Sequence, residues 1–352
     1  MNAALVAREM ELLGFVTSVG FLFEREKDFS TGVSDSFVTT PTSPSGPFEW
    51  IRFIFRLSNE LRKRRPDYVI GFQPASNVLA AILSIPLRFK LIATQRNPSP
   101  MQSRMGKLMD MLLGSTRLYS ANICVSETVA DSFSNYPQRY KSKIKVVHNA
   151  TPKLPVIPDD AEASRRTFLI DSNTVALGCV ARLHPQKNIA FALETLSKLP
   201  NHFHLYLAGT GPEELPLRAL ALDLGIEERV HFLGSIAGDD LTRFYRSLDL
   251  LLFTSIYEGF GRVLVEAMSM GTPILSNDIA ITREVAQGAA SFQALDSCQW
   301  SKEVTRIIDD THYRQTLVEA GLLRSRSFTT SAMIDGYIST LETRPALNRP
   351  SA

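Results

Sequence analysis

The chain has 352 residues, enough for two ordinary α/β domains that each bury a core. Its apolar fraction of 44% and charged fraction of 21% are those of a soluble or peripheral globular protein, and no apolar run reaches the roughly 18 residues needed to cross a bilayer. The net charge of +2 hides an asymmetry: residues 1–150 hold 19 Lys/Arg against 12 Asp/Glu and residues 151–352 hold 19 against 24, so the halves carry +7 and −5.

A basic first half points to an anionic partner, whether lipid headgroups, a pyrophosphate or nucleic acid, or to a merely solvated face. The three cysteines, Cys124, Cys179 and Cys298, are widely spaced, and the first two sit in apolar strand-like runs. That usage supports neither a disulfide framework nor a structural zinc site and fits a reducing cytoplasm. Residues 1–14 carry Arg8, Glu9 and Glu11 and read as an amphipathic helix, not as a secretory signal.

In chain order, a helical pattern at 2–13 comes first. A doubly wound domain normally opens on a central strand with a Gly-containing turn, so the opening strand is missing from the pattern. Strands are expected at 15–22, 68–72, 90–95, 121–125 and 144–147, alternating with helical patterns as parallel βαβ units do. Residues 29–47, rich in Ser, Thr, Gly and Pro, read as a mobile loop or a disordered connection without an assigned role. Residues 48–65 set Trp50, Phe53, Ile54 and Leu57 among Arg52, Arg56 and the run from Arg62 to Arg65. Such a basic amphipathic helix fits a membrane surface or a core with a solvated outer face. Pro152, Pro155 and Pro158 break the alternation and mark a linker. A second α/β series follows, with strands at 175–181, 204–208, 230–233, 250–254, 273–276 and 290–292. A helical pattern at 330–342 and a frayed tail at 344–352 close the chain. The expected organisation is a first domain at 1–150, a linker at 151–160, a second domain at 161–325, and a helix and tail at 326–352. The two Rossmann-like, doubly wound domains are expected to face each other across a cleft.

Chemistry concentrates in the second half. Residues 250–273 read as a buried strand, a Gly-rich turn and a helix, with Glu258 in the turn and Glu266 more than one turn into the helix. Gly259 and Gly261 allow close backbone approach, and the N–H groups near Arg262, Val263 and Leu264 at the helix start suit a phosphate oxygen. A strand ending near Ala181 leads into a loop carrying Arg182 and Lys187, with Asn188 placed to cap the next helix. Two such cations suit a diphosphate leaving group, on which negative charge accumulates as a glycosidic bond breaks. The turn with Gly209 and Gly211 lines a base or ribose pocket or is simply tight, and the loop of Gly234, Ser235 and Ile236 leaves the same sheet edge.

Together these four elements resemble the retaining, GT-B-fold glycosyltransferases of family 4 (glycosyl transferases group 1), including those that build lipid-linked oligosaccharides and polysaccharides. The family hallmark of two glutamates separated by seven residues is matched by Glu258 and Glu266, and the likeness spans about 175–292. The resemblance implies that Arg182 and Lys187 bind the donor diphosphate and stabilise its departure. It implies that Glu258, with the backbone of Gly259, Phe260 and Gly261, holds the sugar, and that Glu266 accepts hydrogen bonds from the ribose. The nucleotide is expected to be UDP, carrying a hexosyl or N-acetylhexosaminyl group, and the acceptor a carbohydrate or a polyprenyl-diphosphate-linked glycan of the cell envelope, such as lipopolysaccharide. The acceptor hydroxyl is then expected to attack from the leaving group's face, with a phosphate oxygen taking the proton. No metal or other cofactor is expected, since none of the six His forms a ligand cluster.

The first half matches through Arg64-Arg-Pro-Asp67, Thr94-Gln-Arg-Asn-Pro98, Val125-Ser-Glu127 and Val147-His-Asn-Ala150. Where many members place a His this chain has Arg96, a candidate catalytic residue or an interdomain ion-pair partner, while His148 reads as a hinge residue. The site implied is cytoplasmic, at the inner face of the cytoplasmic membrane and in contact with anionic lipid. A nucleotide-sugar epimerase of the same fold and a non-catalytic UDP-sugar-binding protein are the alternatives. Nucleic acid is not an expected partner, because no recognition motif accompanies the basic residues.

Overall fold

The computed structural model describes residues 2–23, 32–151 and 154–341, so the expected tail at 344–352, Pro152 of the linker and residues 29–31 of the expected loop lie outside the described residues. Two compact units divide at His148/Asn149, and residues 331–341 belong to the first.

The first unit runs α1 (Asn2–Leu12), β1 (Val19–Phe23), β2 (Ser36–Thr40), α2 (Pro47–Arg64), β3 (Tyr68–Gly71), α3 (Pro74–Leu87), β4 (Lys90–Gln95), α4 (Arg104–Gly114), β5 (Tyr119–Cys124), α5 (Glu127–Asp131), α6 (Gln138–Lys141) and β6 (Ile144–Val146). Its strands form a parallel four-stranded sheet, β3-β4-β5-β6, and a separate parallel pair, β1-β2. Leu91, Ile92 and Ala93 of β4 are fully buried, as expected of a parallel strand covered on both faces. In β3, by contrast, Tyr68, Val69 and Ile70 are only partly buried, and among the described residues no strand pairs β1 with β3. Leu22, Phe23 and Phe37 nevertheless pack against the core of Phe53, Ala81 and Leu91, so the two-stranded pair shares the main sheet's core.

The strand β2 corrects the expectation of a loop across 29–47. Its run Ser-Phe-Val-Thr-Thr is β-branched and aromatic, a strand composition masked in the sequence by the Ser, Pro and Gly around it.

The second unit runs α7 (Ala161–Thr167), β7 (Val175–Val180), α8 (Ile189–Leu196), β8 (Phe203–Ala208), α9 (Glu214–Asp223), β9 (Val230–Gly234), α10 (Asp239–Ser247), β10 (Leu250–Phe253), α11 (Arg262–Met270), β11 (Ile274–Asn277), α12 (Ala280–Ala286), β12 (Ser291–Gln293), α13 (Ser297–Asp309) and α14 (Thr311–Ser325). Its six parallel strands lie in the order β12-β11-β10-β7-β8-β9. The first strand is therefore central, and the order reverses between β7 and β10, the doubly wound arrangement whose switch point opens a crevice at the strands' carboxyl ends. The expected linker is strapped to this unit: Arg246 donates to the carbonyls of Ile157 (3.2 Å) and Asp159 (2.7 Å), and Thr242 to that of Pro155 (3.2 Å). The last helix, α15 (Thr330–Ile338), carries Tyr337, which stacks on Phe72 at 6.2 Å within the first unit.

One contact on the outer strands of the second sheet predicts pH sensitivity. His204 Nδ1 lies 3.0 Å from His231 Nε2, with the rings stacked and Tyr206 against His231. One nitrogen must accept, so at least one ring is neutral. Burial holds both imidazoles below their usual 6.5. The unfolded chain thus binds protons that the native state refuses, and stability present above pH 6.5 is lost as pH falls below it. Thermal unfolding followed between about pH 7 and about pH 5 is expected to show this loss, and His231→Gln to flatten it; an equally steep profile in the variant would assign the loss to other groups.

Candidate active site

The two loops that leave the sheet at its switch point are laced together. After β10 the chain passes Thr254 and Ser255, both buried, and Thr254 Oγ1 donates to the Lys187 carbonyl at 2.7 Å. The Ile256 N–H donates to the Gln186 carbonyl (2.9 Å), and Gln186 Nε2 returns a bond to the Tyr257 carbonyl (2.9 Å). Lys187 Nζ consequently meets Glu258 Oε1, which also accepts from Ser255 Oγ at 2.9 Å. Asn277 on the neighbouring strand donates to the Ser255 carbonyl at 3.0 Å and steadies that turn from behind.

Arg182 occupies the same loop as Lys187 but is exposed, with no side-chain partner among the described residues. Its backbone is fixed from the other side. The Ala181 N–H donates to Ala208 (3.0 Å) and the Leu183 N–H to Thr210 (2.9 Å). A Cβ on Gly209, whose φ is +147°, would lie 1.8 Å from the Ala181 carbonyl oxygen, and one on Gly211 would lie 2.1 Å from that of Leu183. Both glycines are therefore required by the close approach of the Arg182 loop. The Gly209 N–H donates to Gly234 O at 2.7 Å, which ties in the loop of Ser235 and Ile236, the former exposed and the latter half-buried.

The glycine-rich turn enters α11 at Gly261, whose φ of +80° disfavours any side chain. Phe260 is buried edge-on against Phe328 at 5.4 Å, so a ligand is left only its backbone. Two expectations need correction here. Leu264 is fully buried and its N–H donates to the Gly261 carbonyl at 3.0 Å, which removes it from the set of free N–H groups; Arg262 and Val263 are partly buried. Asn188 stands at the start of α8 in a left-handed conformation, and its side chain makes no capping bond.

Glu266 is brought to the same helix but points into the protein. Its Oε2 accepts from the Tyr245 hydroxyl (2.8 Å) and its Oε1 from Arg262 Nη2 (3.2 Å). Burial, reinforced by the neighbouring carboxylate, pushes the Tyr245 phenol well above its ordinary range, so it remains a donor. Arg96 follows β4 in the first unit; burial pushes the Tyr337 phenol up to about 12, and the positive charge of Arg96 offsets part of that rise. Sequence reasoning passed over Ser255 and Tyr245. Ser255 stands three residues before Glu258 in one turn, a detectable signal, whereas Tyr245 is 21 residues from Glu266 and is delivered by the packing of α10 on α11. Among the described residues no group of three or more His, Cys, Asp or Glu side chains is placed to hold a metal ion.

Comparison with known proteins agrees in both halves. The family described as glycosyl transferases group 1 matches residues 160–324, and that described as Glycosyltransferase Family 4 matches residues 2–152. An uncharacterised glycosyltransferase of Methanocaldococcus jannaschii is 27% identical over 207 residues, 56% of this chain; the match spans only about half of that relative's length, 53%. A lipopolysaccharide core biosynthesis glycosyltransferase of Rhizobium meliloti is 26% identical over 284 residues, covering 74% of this chain and 81% of the relative. Anabaena HepE, solved in complex with UDP and glucose, superposes with a TM-score of 0.84 over 97% of this chain and 96% of its own, at 21% identity, which establishes the shared fold. With two Rossmann-like parallel-sheet units and both family matches in register, the chain is a GT-B-fold protein that belongs to the glycosyl transferases group 1 family.

Proposed function

We propose that this protein moves a hexosyl or N-acetylhexosaminyl group from a UDP-sugar to a carbohydrate or polyprenyl-diphosphate-linked acceptor, with retention at the anomeric carbon. The setting is cell-envelope polysaccharide or glycan assembly, at the inner face of the cytoplasmic membrane. The observation that carries the reading is the meeting of Lys187 and Glu258 at the sheet's switch point, with the exposed Arg182 on the same loop as Lys187. A cation pair fixed there by backbone bonds is preorganised for a leaving diphosphate. Glu258, oriented by Ser255 and Lys187, offers a carboxylate to sugar hydroxyls. Glu266 would reach a ribose by sharing or exchanging its Tyr245 and Arg262 partners. Arg96 is proposed as a further active-site residue. The relatives support this reading: one is named for lipopolysaccharide core biosynthesis, and HepE was solved with UDP-glucose as well as with UDP.

The chemistry proposed uses no metal or other cofactor, because Arg182 and Lys187 supply the charge neutralisation. Incubation with a panel of UDP-sugars and isolated cell-envelope lipids is expected to release UDP only when an acceptor is present, and at an unchanged rate after chelation with EDTA. UDP released equally without acceptor would favour the epimerase. Tight UDP binding without turnover would favour a binding protein, and loss of rate on chelation would overturn the metal-free mechanism.

A further inference from the structure

We propose that the outward faces of α2, α3 and α4 form one docking surface for an anionic lipid bilayer. The inference rests on the reading that the protein works at a membrane and names the face, of which the sequence revealed only the part on α2. Because β3, β4 and β5 advance in one direction across the sheet, right-handed crossovers put α3 and α4 on the same side. The helix α3 packs against both α2 and α4, so three helices lie side by side, about 20 Å across at ordinary interhelical spacing.

Each presents apolar residues to solvent. On α2, Phe48, Ile51 and Phe55 recur at helical spacing, 81%, 63% and 64% exposed, while Phe53 and Leu57 face the core. On α3, Ile82 and Ile85 are exposed. The helix α4 is inverted: Met105, Leu108 and Leu112, continued by Met101 just before it, form an exposed stripe. Its one carboxylate, Asp110, is fully buried and accepts hydrogen bonds from Tyr119 (2.8 Å), Tyr140 and Gln95 (3.1 Å). A helix that turns its acid inward and Met105, Leu108 and Leu112 outward is oriented for an apolar medium. Patches of this extent on soluble proteins mark interaction sites.

Charge selects the occupant. Arg52, Arg56 and Arg62 flank the stripe on α2, and Arg104 and Lys107 flank that on α4. Between residues 47 and 117 there are twelve Lys/Arg and four Asp/Glu, and of those four Asp110 is buried and Glu60 is paired with Lys63 and Arg64. Apolar stripes bordered by basic side chains match the acyl–headgroup boundary of an anionic leaflet. Two copies packed face to face would instead bring like charges together, which disfavours a dimer. Among the described residues no helix is long and apolar enough to cross a membrane, so the contact proposed is in-plane.

Flotation of the full chain with phosphatidylcholine vesicles, with and without phosphatidylglycerol, tests the surface. Binding is expected to the anionic vesicles and to weaken with salt. The pairs Phe48→Ser/Phe55→Ser and Met105→Ser/Leu108→Ser are each expected to reduce partitioning by roughly tenfold or more. All four side chains are exposed, so both double variants should keep the wild-type unfolding midpoint and wild-type UDP affinity. No binding to anionic vesicles, or wild-type binding by both variants, would overturn the proposal. So would a wild-type dimer that the same substitutions dissociate. Retained UDP binding in those cases would leave the transferase reading standing, whereas vesicle binding without UDP binding would remove that reading alone.

Discussion

Lys187→Ala is expected to lower turnover of the UDP-sugar by roughly 10²–10³, the scale observed when one preorganised group that meets developing negative charge is removed. The lysine is firmly held. Its carbonyl receives Thr254, its neighbour Gln186 bonds twice to the 254–258 turn, and its ammonium lies on Glu258. None of the backbone bonds depends on the side chain, so the truncated loop keeps its course. Glu258 retains Ser255, and loss of its ammonium partner should destabilise the protein by only about 1 kcal/mol at this partly exposed position. A rate loss far larger than the stability loss separates a chemical role from a structural one. Lys187→Arg should recover part of the rate, because charge is restored with altered geometry. A folded Lys187→Ala protein with wild-type turnover would remove the lysine from the mechanism.

The second large effect is structural. Gly209→Ala would force a methyl group to within 1.8 Å of the Ala181 carbonyl oxygen at a backbone φ of +147°. The obstacle is main chain paired into the central strand, so no side-chain rotation relieves it. A cost of about 2–4 kcal/mol follows from overpacking and backbone strain, a fall in unfolding midpoint of roughly 5–15 °C for a domain of this size. The loop displaced is the one carrying Arg182, so UDP affinity should fall with the midpoint. Gly288→Ala, where a Cβ meets nothing within 4 Å, serves as the neutral control. Equal midpoints for the two variants, measured by calorimetry, would show that the close approach does not constrain the fold.

These two residues also show what could be read from the sequence. Strand-end loops carrying Arg182, Lys187 and Glu258 were visible as motifs, since each follows a run of β-branched and aliphatic residues. Their adjacency was not visible. It arises because β10 returns to pair with β7 after β8 and β9 have been laid on the other side, a long-range choice that no local pattern encodes. Glu266 was legible by its spacing from Glu258, but not its inward rotamer, which depends on Tyr245 from another helix. The strand β2 was hidden by turn-forming neighbours. The helix α4 misleads in the opposite sense: Met101, Met105, Leu108 and Leu112 have the periodicity of a core face, and only the burial of Asp110 with two tyrosines shows that this face points outward.

The central claim is that the second unit binds a nucleoside diphosphate through Arg182 and Lys187. Calorimetric titration of the purified chain with UDP and with uridine tests it most directly. The wild type is expected to prefer UDP strongly, and Arg182→Ala and Lys187→Ala each to reduce this preference by roughly tenfold or more, the scale of a lost charge-assisted hydrogen bond. Equal affinities for UDP and uridine in the wild type, or a preference for UDP untouched by both substitutions, would contradict it.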